Sequence, residues 1–373
     1  MKPTLNSPSN ATGPDIVIST RAYETWVAGQ LTLVTRDLAF KHERMAEDPF
    51  SFLRATFYRW AQRYPSECAD LLDAPEVPSV GDIHVENYGT WRDAEGRLVW
   101  GINDFDEAVK LPYTHDLVRL ATSAALASEQ GRMTVRPRAA TTAVLNGYVD
   151  ALGMEGRPFV LAEHNRWLRD AVTSRLRDPG KYWKRLTAWP EAASVPSDVQ
   201  SILRESLPEP NLPTVVLHRQ AGLGSLGRPR FTAIADWRGG RVAREAKPLL
   251  TSAWNWAHPS RKPAPTAYHP TVERAIRSPD PFLRVCGPWI VRRLAPYCSR
   301  IELSQMPGDG DEKKLLKAMG HELANIHLGG KRCLSAVLDD LSRRGEKWLH
   351  RAVDHMTAAT LSDWTDWRRS HSS

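Results

Sequence analysis

The spacing of apolar side chains predicts helices in the first half of the chain and again at its end. Apolar residues recur at helical spacing from about Thr20, and a single helix is predicted from Asp48 to Arg63, with Asp48 as its N-cap and Pro49 in its first turn. The dipeptide Tyr64-Pro65 is expected to end this helix. Further helices are predicted at about 114–129, 136–152, 158–177 and 197–206, and two or three more within 311–367.

Strands are predicted in two places, each bounded by turn residues. Between residues 77 and 108 the chain has short apolar runs broken by Gly, Asn and Asp, and Leu98 to Ile102 is predicted to be a buried strand. After a proline-rich break, strands are predicted at 214–218, 231–235, 241–247 and 289–294. The pattern is therefore typical of an α+β chain in which a small sheet-rich unit lies between helical units.

The length of the chain favours two lobes, because 373 residues exceed the size at which single cores usually stop growing. The predicted division is a disordered tail at 1–19, a helical lobe at 20–207, a sheet lobe at 208–300, and C-terminal helices at 301–373 that pack on the helical lobe.

Composition and charge narrow the choice of ligands. A net charge of +7 fits an anionic ligand such as a nucleotide, but the chain has no Lys/Arg run with interleaved aromatics, which disfavours nucleic acid. The first 15 residues lack the apolar core of a signal peptide, and no apolar stretch is long enough to span a bilayer. Four widely spaced cysteines predict reduced thiols, and we expect a cytoplasmic protein with no membrane partner.

The most informative residues form an acidic cluster in two neighbouring segments. Gly81-Asp82-Ile83-His84-Val85-Glu86-Asn87 precedes the strand at 98–102, and Asn103-Asp104-Phe105-Asp106 follows it. Metal-assisted phosphoryl transfer needs one carboxylate at the acceptor hydroxyl and further oxygen ligands that hold Mg²⁺ against the phosphates. Each residue alone is an ordinary turn residue, but the combination predicts a catalytic and magnesium site. His84 is a candidate metal ligand or base, although a role in orienting its neighbours is favoured.

These segments resemble known phosphotransferases. Gly-Asp-x-His-x-x-Asn followed by Asn-Asp-Phe-Asp resembles the catalytic and metal-binding loops of aminoglycoside and choline kinases, which share the protein-kinase-like fold. Residues 81–89 and 102–123, with 48–54 upstream, resemble more closely a bacterial family described as domain of unknown function 2252. The similarity runs with gaps from about 40 to 330 and is specific in its first part.

The resemblance implies a role for each matching residue. Asp82 would be the catalytic base, Asn87 and Asp104 the Mg²⁺ ligands, and Asp116 an acid that braces the catalytic loop; Asp106 is a further candidate metal ligand. Protein kinases have His-Arg before the catalytic Asp and Gly after Asp-Phe, positions that Val80-Gly81 and Asp106 occupy here. This departure favours a small-molecule acceptor over a protein.

A glycine-rich loop lies far along the chain from the acidic cluster. The sequence from Gly222 to Gly227, with Gly224 and Ser225 inside it, matches G-x-G-x-x-G but is predicted to join two strands. A dinucleotide-binding turn would lead from a strand into a helix, so the kinase arrangement, in which backbone N–H groups cover phosphates, is favoured.

A lysine that contacts the phosphates is expected one strand later. Lys247 is the candidate, with Arg244 as a rival that three residues of strand alternation would turn to the other face. Glu273, on a predicted helix, is a candidate partner for Lys247, and a solvent-exposed glutamate is the open alternative.

In ordinary kinases the glycine loop precedes the catalytic Asp. The order is inverted here, because the glycine loop follows the catalytic segment by about 140 residues. We therefore predict a two-lobed, circularly permuted protein-kinase-like fold. In such a fold Asp82 and Asp104 must face Gly224 and Lys247, and the predicted helix from Glu312 to His327 must end beside the segment before Gly81.

The predicted activity is ATP- and Mg²⁺-dependent phosphoryl transfer to a small-molecule hydroxyl acceptor. Three alternatives remain open, namely AMP transfer to a protein, a non-catalytic nucleotide-binding regulator, and a binder of nucleic acid or another phosphate-rich ligand.

Overall fold

The computed structural model describes residues 15–161, 165–173, 178–259, 266–298, 309–330 and 333–371. Within these ranges the helices are α1 (Ile16–Ala28), α2 (Thr35–Glu47), α3 (Pro49–Ala55), α4 (Phe57–Glu67), α5 (Tyr113–Glu129), α6 (Pro137–Gly153), α7 (Arg166–Thr173), α8 (Pro179–Leu186), α9 (Ser197–Ser206), α10 (Ala253–Ala257), α11 (Tyr268–Arg274), α12 (Asp309–His327), α13 (Leu334–Arg343) and α14 (Trp348–His371). The strands are β1 (Glu76–Ser79), β2 (Tyr88–Arg92), β3 (Leu98–Ile102), β4 (Val109–Pro112), β5 (Phe159–Val160), β6 (Val215–His218), β7 (Phe231–Trp237), β8 (Gly240–Pro248), β9 (Arg284–Cys286) and β10 (Trp289–Leu294).

The predicted α+β class is confirmed, and the strands form three antiparallel sheets. β1 pairs with β4, β2–β3–β5 form a three-stranded sheet, and the order β6–β7–β8–β10–β9 forms the largest. In this largest sheet Lys247 lies opposite Ile290, and Glu245 lies between Thr232 and Arg292 on the neighbouring strands. Because side chains alternate along a strand, Glu245 and Lys247 share one face of the sheet.

Several predicted elements have the bounds that the apolar pattern gave. The strands β3 and β10 and the helix α9 match their predicted limits, and the helix at 114–129 begins one residue early, at Tyr113. These segments carry strong periodicity and clear turn or capping residues at their ends, which are the local signals that secondary structure follows most closely.

Other predicted elements are wrong in part. The helix predicted from Asp48 to Arg63 is two helices, because the backbone of Thr56 leaves helical geometry, and Pro65 lies inside the last turn of α4 without ending it. The helix predicted at 158–177 is the short strand β5 followed by α7, because Phe159 and Val160 add an edge to β3. Helix α1 begins at Ile16, capped by the Asp15 carboxylate, inside the predicted tail at 1–19; residues 1–14 lie outside the described residues.

A helical core surrounds α5 and α12, and the large sheet has smaller cores of its own. Helices α6 and α12 pack closely at Gly147 and Gly320, where a Cβ would lie 1.8 Å from the Lys317 carbonyl oxygen and 2.0 Å from the Val144 carbonyl oxygen, respectively. Helix α14 packs on α2 to α5, and α9 packs on the outer face of the large sheet. In the described part of the chain, none of the helices has the length and apolar character needed to cross a membrane.

Candidate functional site

The loop between β1 and β2 carries Asp82 and is fixed by the buried Asp116 of α5. The backbone N–H groups of Val80 and Gly81 donate to the two Asp116 carboxylate oxygens at 2.6 and 3.1 Å. Gly81 has φ of +78°, and a Cβ there would lie 2.4 Å from the Glu107 carbonyl oxygen, so the turn requires glycine. The Asp116 carboxylate therefore lies where the sequence expects the brace of this loop.

Two histidines hold Asp116 in its charged form. His115 Nδ1 lies 3.1 Å and His327 Nε2 lies 3.3 Å from its carboxylate oxygens, and all three side chains are buried. Burial alone would raise the pKa of Asp116, but these hydrogen bonds hold it well below the ordinary value. Since His327 is the last residue of α12, the contact also brings the end of that helix beside the segment before Gly81.

The Asp82 side chain is oriented by Arg119, a buried arginine of α5, the helix that also carries Asp116. One Asp82 oxygen accepts from Arg119 Nε at 3.1 Å and from its Nη2, and the guanidinium lies 4.9 Å from the ring centres of both Phe57 and Trp60. Burial and the nearby Asp104 raise the pKa of Asp82 although Arg119 opposes the shift. The carboxylate is thus held in one orientation in an environment that makes it more basic.

Asn87 ties the two acid-bearing loops together. Its Nδ2 donates to the carbonyl oxygens of Asp82 at 3.3 Å and Asp104 at 3.0 Å, and its Oδ1 accepts from the Asp104 N–H at 2.9 Å. The neighbouring Asn103 N–H donates to the Asn87 carbonyl oxygen at 2.9 Å. An amide oxygen has two lone pairs, so Oδ1 keeps one acceptor position beyond this brace.

Lys247 joins the acidic cluster from the large sheet. Its Nζ lies 2.9 Å from an Asp104 oxygen and 2.7 Å from an Asp106 oxygen, and only 4% of its side chain is exposed. Although burial opposes it, the charge of Lys247 holds the pKa of Asp104 far below its ordinary value, whereas burial and the charge of Asp104 raise that of Asp106 to about 6. The structure thus brings Lys247 to two acids that lie about 140 positions earlier in the sequence.

The glycine loop closes over Asp82. It joins the antiparallel strands β6 and β7, and a short 3₁₀ turn at Leu223–Ser225 follows Gly222, whose φ is +76°. A Cβ on Gly224 would lie 3.2 Å from the free Asp82 oxygen, Oδ2, and 3.0 Å from the Arg54 carbonyl oxygen. The loop backbone therefore approaches the acids as closely as a residue without a side chain allows.

The N-terminal helices hold this loop in place. Lys41 of α2 donates to the Gly224 carbonyl oxygen at 3.2 Å, and the Val34 N–H donates to that of Gly227 at 2.8 Å. Gly227 itself has φ of +91° and packs against Leu38. Burial lowers the pKa of Lys41 to about 8. Lys41 and Arg119 were not predicted from the sequence, where the only local signal is that Arg119 follows Asp116 by one helical turn.

Arg244, the rival of Lys247 for the phosphate contact, and Glu273, its expected partner, both lie elsewhere. Arg244 points to the opposite face of β8, where its Nε donates to the Ser206 carbonyl oxygen at 2.8 Å and its guanidinium stacks on Phe282. The predicted pairing of Lys247 with Glu273 is wrong: Glu273 is 63% exposed on α11 and pairs with His269 one turn away at 3.1 Å. Lys247 is buried and already bound to two carboxylates, so no role remains for an exposed glutamate.

His84 lies in the same cleft as Asp82 but faces the backbone. Its Nδ1 accepts from the Glu86 N–H at 3.2 Å, and its ring packs edge-on against Phe50. These contacts fit the orienting role better than that of a base.

The donor set fits a magnesium ion that shares its coordination with a substrate. No group of three or more His, Cys, Asp and Glu side chains among the described residues converges on one metal position. Asp104, Asp106 and the Asn87 amide supply oxygens, which Mg²⁺ prefers, and phosphate and water oxygens would complete its shell. Lys247 now lies between the two carboxylates and balances one of their charges.

The comparisons with known proteins match part of the chain. The model of a family described as an uncharacterized protein conserved in bacteria (DUF2252) matches residues 33–165. This range includes Asp82, Asn87, Asp104 and Asp106 but neither the glycine loop nor Lys247. No curated protein and no solved structure matches the chain.

Proposed function

We propose that this chain is a Mg²⁺-dependent phosphotransferase that uses ATP and acts on the hydroxyl of a small molecule. One observation carries the proposal: Asp82, Asn87 and Asp104 line one cleft with the glycine loop, and Lys247 contacts Asp104 beside it, although the loop and Lys247 lie about 140 residues after the acids. Phosphoryl transfer depends on positioning and charge neutralisation, which such a convergence of acids, lysine and backbone N–H groups supplies.

Asp82 is proposed as the base. Its Oδ1 is held by Arg119, which leaves Oδ2 facing the cleft to accept the proton of the acceptor hydroxyl. The raised pKa of Asp82 supports this role, since a more basic carboxylate is a better proton acceptor.

Asp104, Asp106 and Asn87 are proposed to hold Mg²⁺, which would neutralise charge on the phosphates. Lys247 is proposed to donate from Nζ to phosphate oxygens when a nucleotide is bound, in place of part of its present contact with the carboxylates. Gly222, Gly224 and Gly227 would cover the phosphates with backbone N–H groups, and Ser225, whose N–H donates to the Gly222 carbonyl oxygen at 3.0 Å, would hold the loop in this shape.

A circularly permuted protein-kinase-like fold is part of the proposal. The glycine loop joins antiparallel strands, and α12 ends beside β1, as expected if the two were continuous in an unpermuted chain. The contact of Gly330 with Pro78 supports this, because a Cβ at Gly330 would lie 2.9 Å from the proline ring.

Thermal denaturation with nucleotide tests the proposal. ATP with Mg²⁺ should raise the melting temperature of the wild type, because a ligand of the folded state stabilises it by mass action. Lys247→Ala should lose most of this shift, whereas Arg244→Ala, the matched control on the other face of β8, should keep it. The readout is the ligand-induced shift, so a change in the stability of a variant without nucleotide does not affect the comparison.

The lysine assignment fails if Arg244→Ala loses the shift and Lys247→Ala keeps it. The nature of the transfer is then read from the mass of the product after incubation with ATP, Mg²⁺ and a set of small hydroxyl compounds. A phosphate adduct supports the proposal, and an AMP adduct on the protein would replace it with nucleotidyl transfer.

A further inference from the structure

A second cleft lies on the other side of Gly222, between the inner face of the large sheet and the hairpin β2–β3. Asn103 and Phe105, the neighbours of Asp104, line it, so Asp104 lies at the wall between the two clefts. Its cavity volume is about 190 Å³, against about 50 Å³ for the cleft at Asp82. The larger space for a ligand is therefore away from the proposed base.

The walls of this second cleft carry an unusual concentration of arginine. Its lining includes Arg219, Arg277, Arg292 and Arg293, with Trp91 among the aromatic residues. Three of these arginines have a carboxylate partner within the protein. Arg219 and Arg292 bind the buried Glu245, which also binds Arg230, and Arg293 lies 3.6 Å from Asp280 and donates to the Arg92 carbonyl oxygen.

Arg277 differs from the other three. Its Nε and Nη1 are inaccessible to solvent, and its guanidinium has no hydrogen bond or ion pair to any residue that the structure describes. It stacks 4.5 Å from the ring centre of Trp91 and 5.1 Å from that of Phe105. Arg277 is half-buried, and shielding two of its guanidinium nitrogens from solvent without an anion costs free energy, so its position needs a reason other than stability.

Among the residues that the structure describes, the acids around Arg277 do not supply that anion. Glu322 has the largest electrostatic effect of these acids on Arg277. Its two oxygens, however, accept from the Ile102 N–H at 3.3 Å and from Asn325 at 2.8 Å. Asp280 is bound to the Phe282 N–H and to Arg293, and Glu245 is shared by three arginines. The cleft therefore keeps an excess of positive charge that faces open space.

We propose that this cleft binds the diphosphate that leaves the nucleotide during transfer, with Arg277 as its unpaired cationic contact. The inference rests on the proposed function. The acceptor oxygen forms a bond to the transferred phosphorus while the bond from that phosphorus to the leaving diphosphate breaks. The acceptor proton passes to Asp82, and the negative charge that develops on the leaving diphosphate lies on the side of Asp104 that faces the arginines.

The leaving diphosphate has two sources, and both have the chemistry that the arginines recognise. It is the diphosphate of ADP if phosphate is transferred, and inorganic pyrophosphate if AMP is transferred. Guanidinium groups bind phosphate oxygens through paired donors, which suits either source.

Calorimetric titration with ADP, pyrophosphate and adenosine, each with Mg²⁺, tests the inference on the full chain. Arg277→Met should weaken the binding of ADP and of pyrophosphate by roughly 10- to 100-fold, the scale of a charge-assisted hydrogen bond, and leave adenosine binding unchanged. Arg284→Met, which removes the same charge from the exposed side of β9, is the matched control and should bind all three ligands like the wild type.

The unliganded Arg277→Met variant should melt at or above the wild-type temperature, because it removes a half-buried charge whose Nε and Nη1 are shielded from solvent and keeps an unbranched side chain against Trp91. Arg277→Lys, which retains charge but not the planar donors, gives a second measurement if the methionine variant does not fold, and it should also bind pyrophosphate more weakly. Wild-type affinity for pyrophosphate and ADP in the folded Arg277 variants would overturn the inference.

The outcome separates this inference from the proposed function. If the wild type transfers nothing from ATP but binds pyrophosphate in an Arg277-dependent manner, the phosphotransferase proposal fails and the diphosphate site remains. If transfer occurs, release of ADP or of pyrophosphate identifies which source the site accepts.

Discussion

Two regions meet at the candidate site and differ in how they are built. The loops at 80–106 carry its acids, and the large sheet β6–β10 carries most of its cations. The acids Asp82, Asp104 and Asp106 lie within 25 residues of one another and are braced locally by Asn87. The cations of the sheet come from β6 to β8 and β10 and the adjoining loops, and four of them are held by Glu245 or by Asp104 and Asp106. The loops form one preorganised unit, whereas the sheet charges depend on pairing between strands.

The comparison separates charges that are satisfied within the protein from charges that are free for a ligand. Glu245 is fully buried, and three arginines hold its pKa well below the ordinary value although burial opposes this. This network stabilises the sheet. Lys247 and Arg277 lie at its border, one shared between two carboxylates and the other without an anion among the described residues. Phosphoryl transfer needs cationic groups that can contact the phosphates of a ligand.

The largest expected effect comes from the loops, where two acids should have separable roles. Asp104→Ala removes a proposed Mg²⁺ ligand and should abolish measurable turnover and weaken Mg²⁺-dependent nucleotide binding. Asp82→Asn keeps the contact with Arg119 and should leave nucleotide binding unchanged while turnover falls by roughly two to four orders of magnitude, the scale of general-base loss. Turnover assays and nucleotide titrations on both variants measure this, and equal losses of binding would contradict the division of roles.

The next effect should come from the sheet and appear in stability. Glu245→Gln keeps the shape but leaves the buried Arg230 and the half-buried Arg219 and Arg292 without the carboxylate that they share, so the free energy of unfolding should fall by about 3–5 kcal/mol. Denaturant unfolding measures it. Asp236→Asn, on an exposed pair of the same sheet, is the control and should cause no measurable change. If both variants unfold alike, the Glu245 network does not stabilise the sheet.

The smallest effect concerns Glu322, which links α12 to β3 next to the arginine cleft. Burial raises the pKa of Glu322 from 4.5 to about 7, although Arg277 and the hydrogen bond from Asn325 oppose the shift. Between these two values the folded state holds a proton that the unfolded state has lost, so the free energy of unfolding should decrease as pH rises. Glu322→Met should reduce this decrease between pH 5 and 8 by about 1–3 kcal/mol.

Unfolding of the wild type and of Glu322→Met at several pH values in that range gives the difference directly. The other carboxyls with raised pKa, namely Asp82, Asp106, Glu107 and Asp280, are present in both proteins and cancel in the comparison. Parallel pH profiles would show that the Glu322 carboxyl does not titrate in this window.

The sequence by itself determined the features that depend on short-range geometry. Strand alternation assigned Lys247 and Arg244 to opposite faces of β8, and their contacts agree. The glycine loop was predicted to join two strands because turn residues separate two apolar runs, and it does. The positions of Asp82, Asn87 and Asp104 around one buried strand follow equally from local spacing, since a hairpin brings its two ends together.

Only the tertiary structure decided which distant groups meet. The approach of Lys41 to the glycine loop, the orientation of Asp82 by Arg119 and the pairing of His327 with Asp116 depend on how helices pack; the sequence predicted only that the helix with His327 ends near this segment. The predicted Glu273 partner was wrong for the same reason, because the exposed face of α11 is fixed by its packing and not by its own pattern. The arginine cleft joins residues from the hairpin, the sheet and the segment after α11, so its charge is a property of the fold.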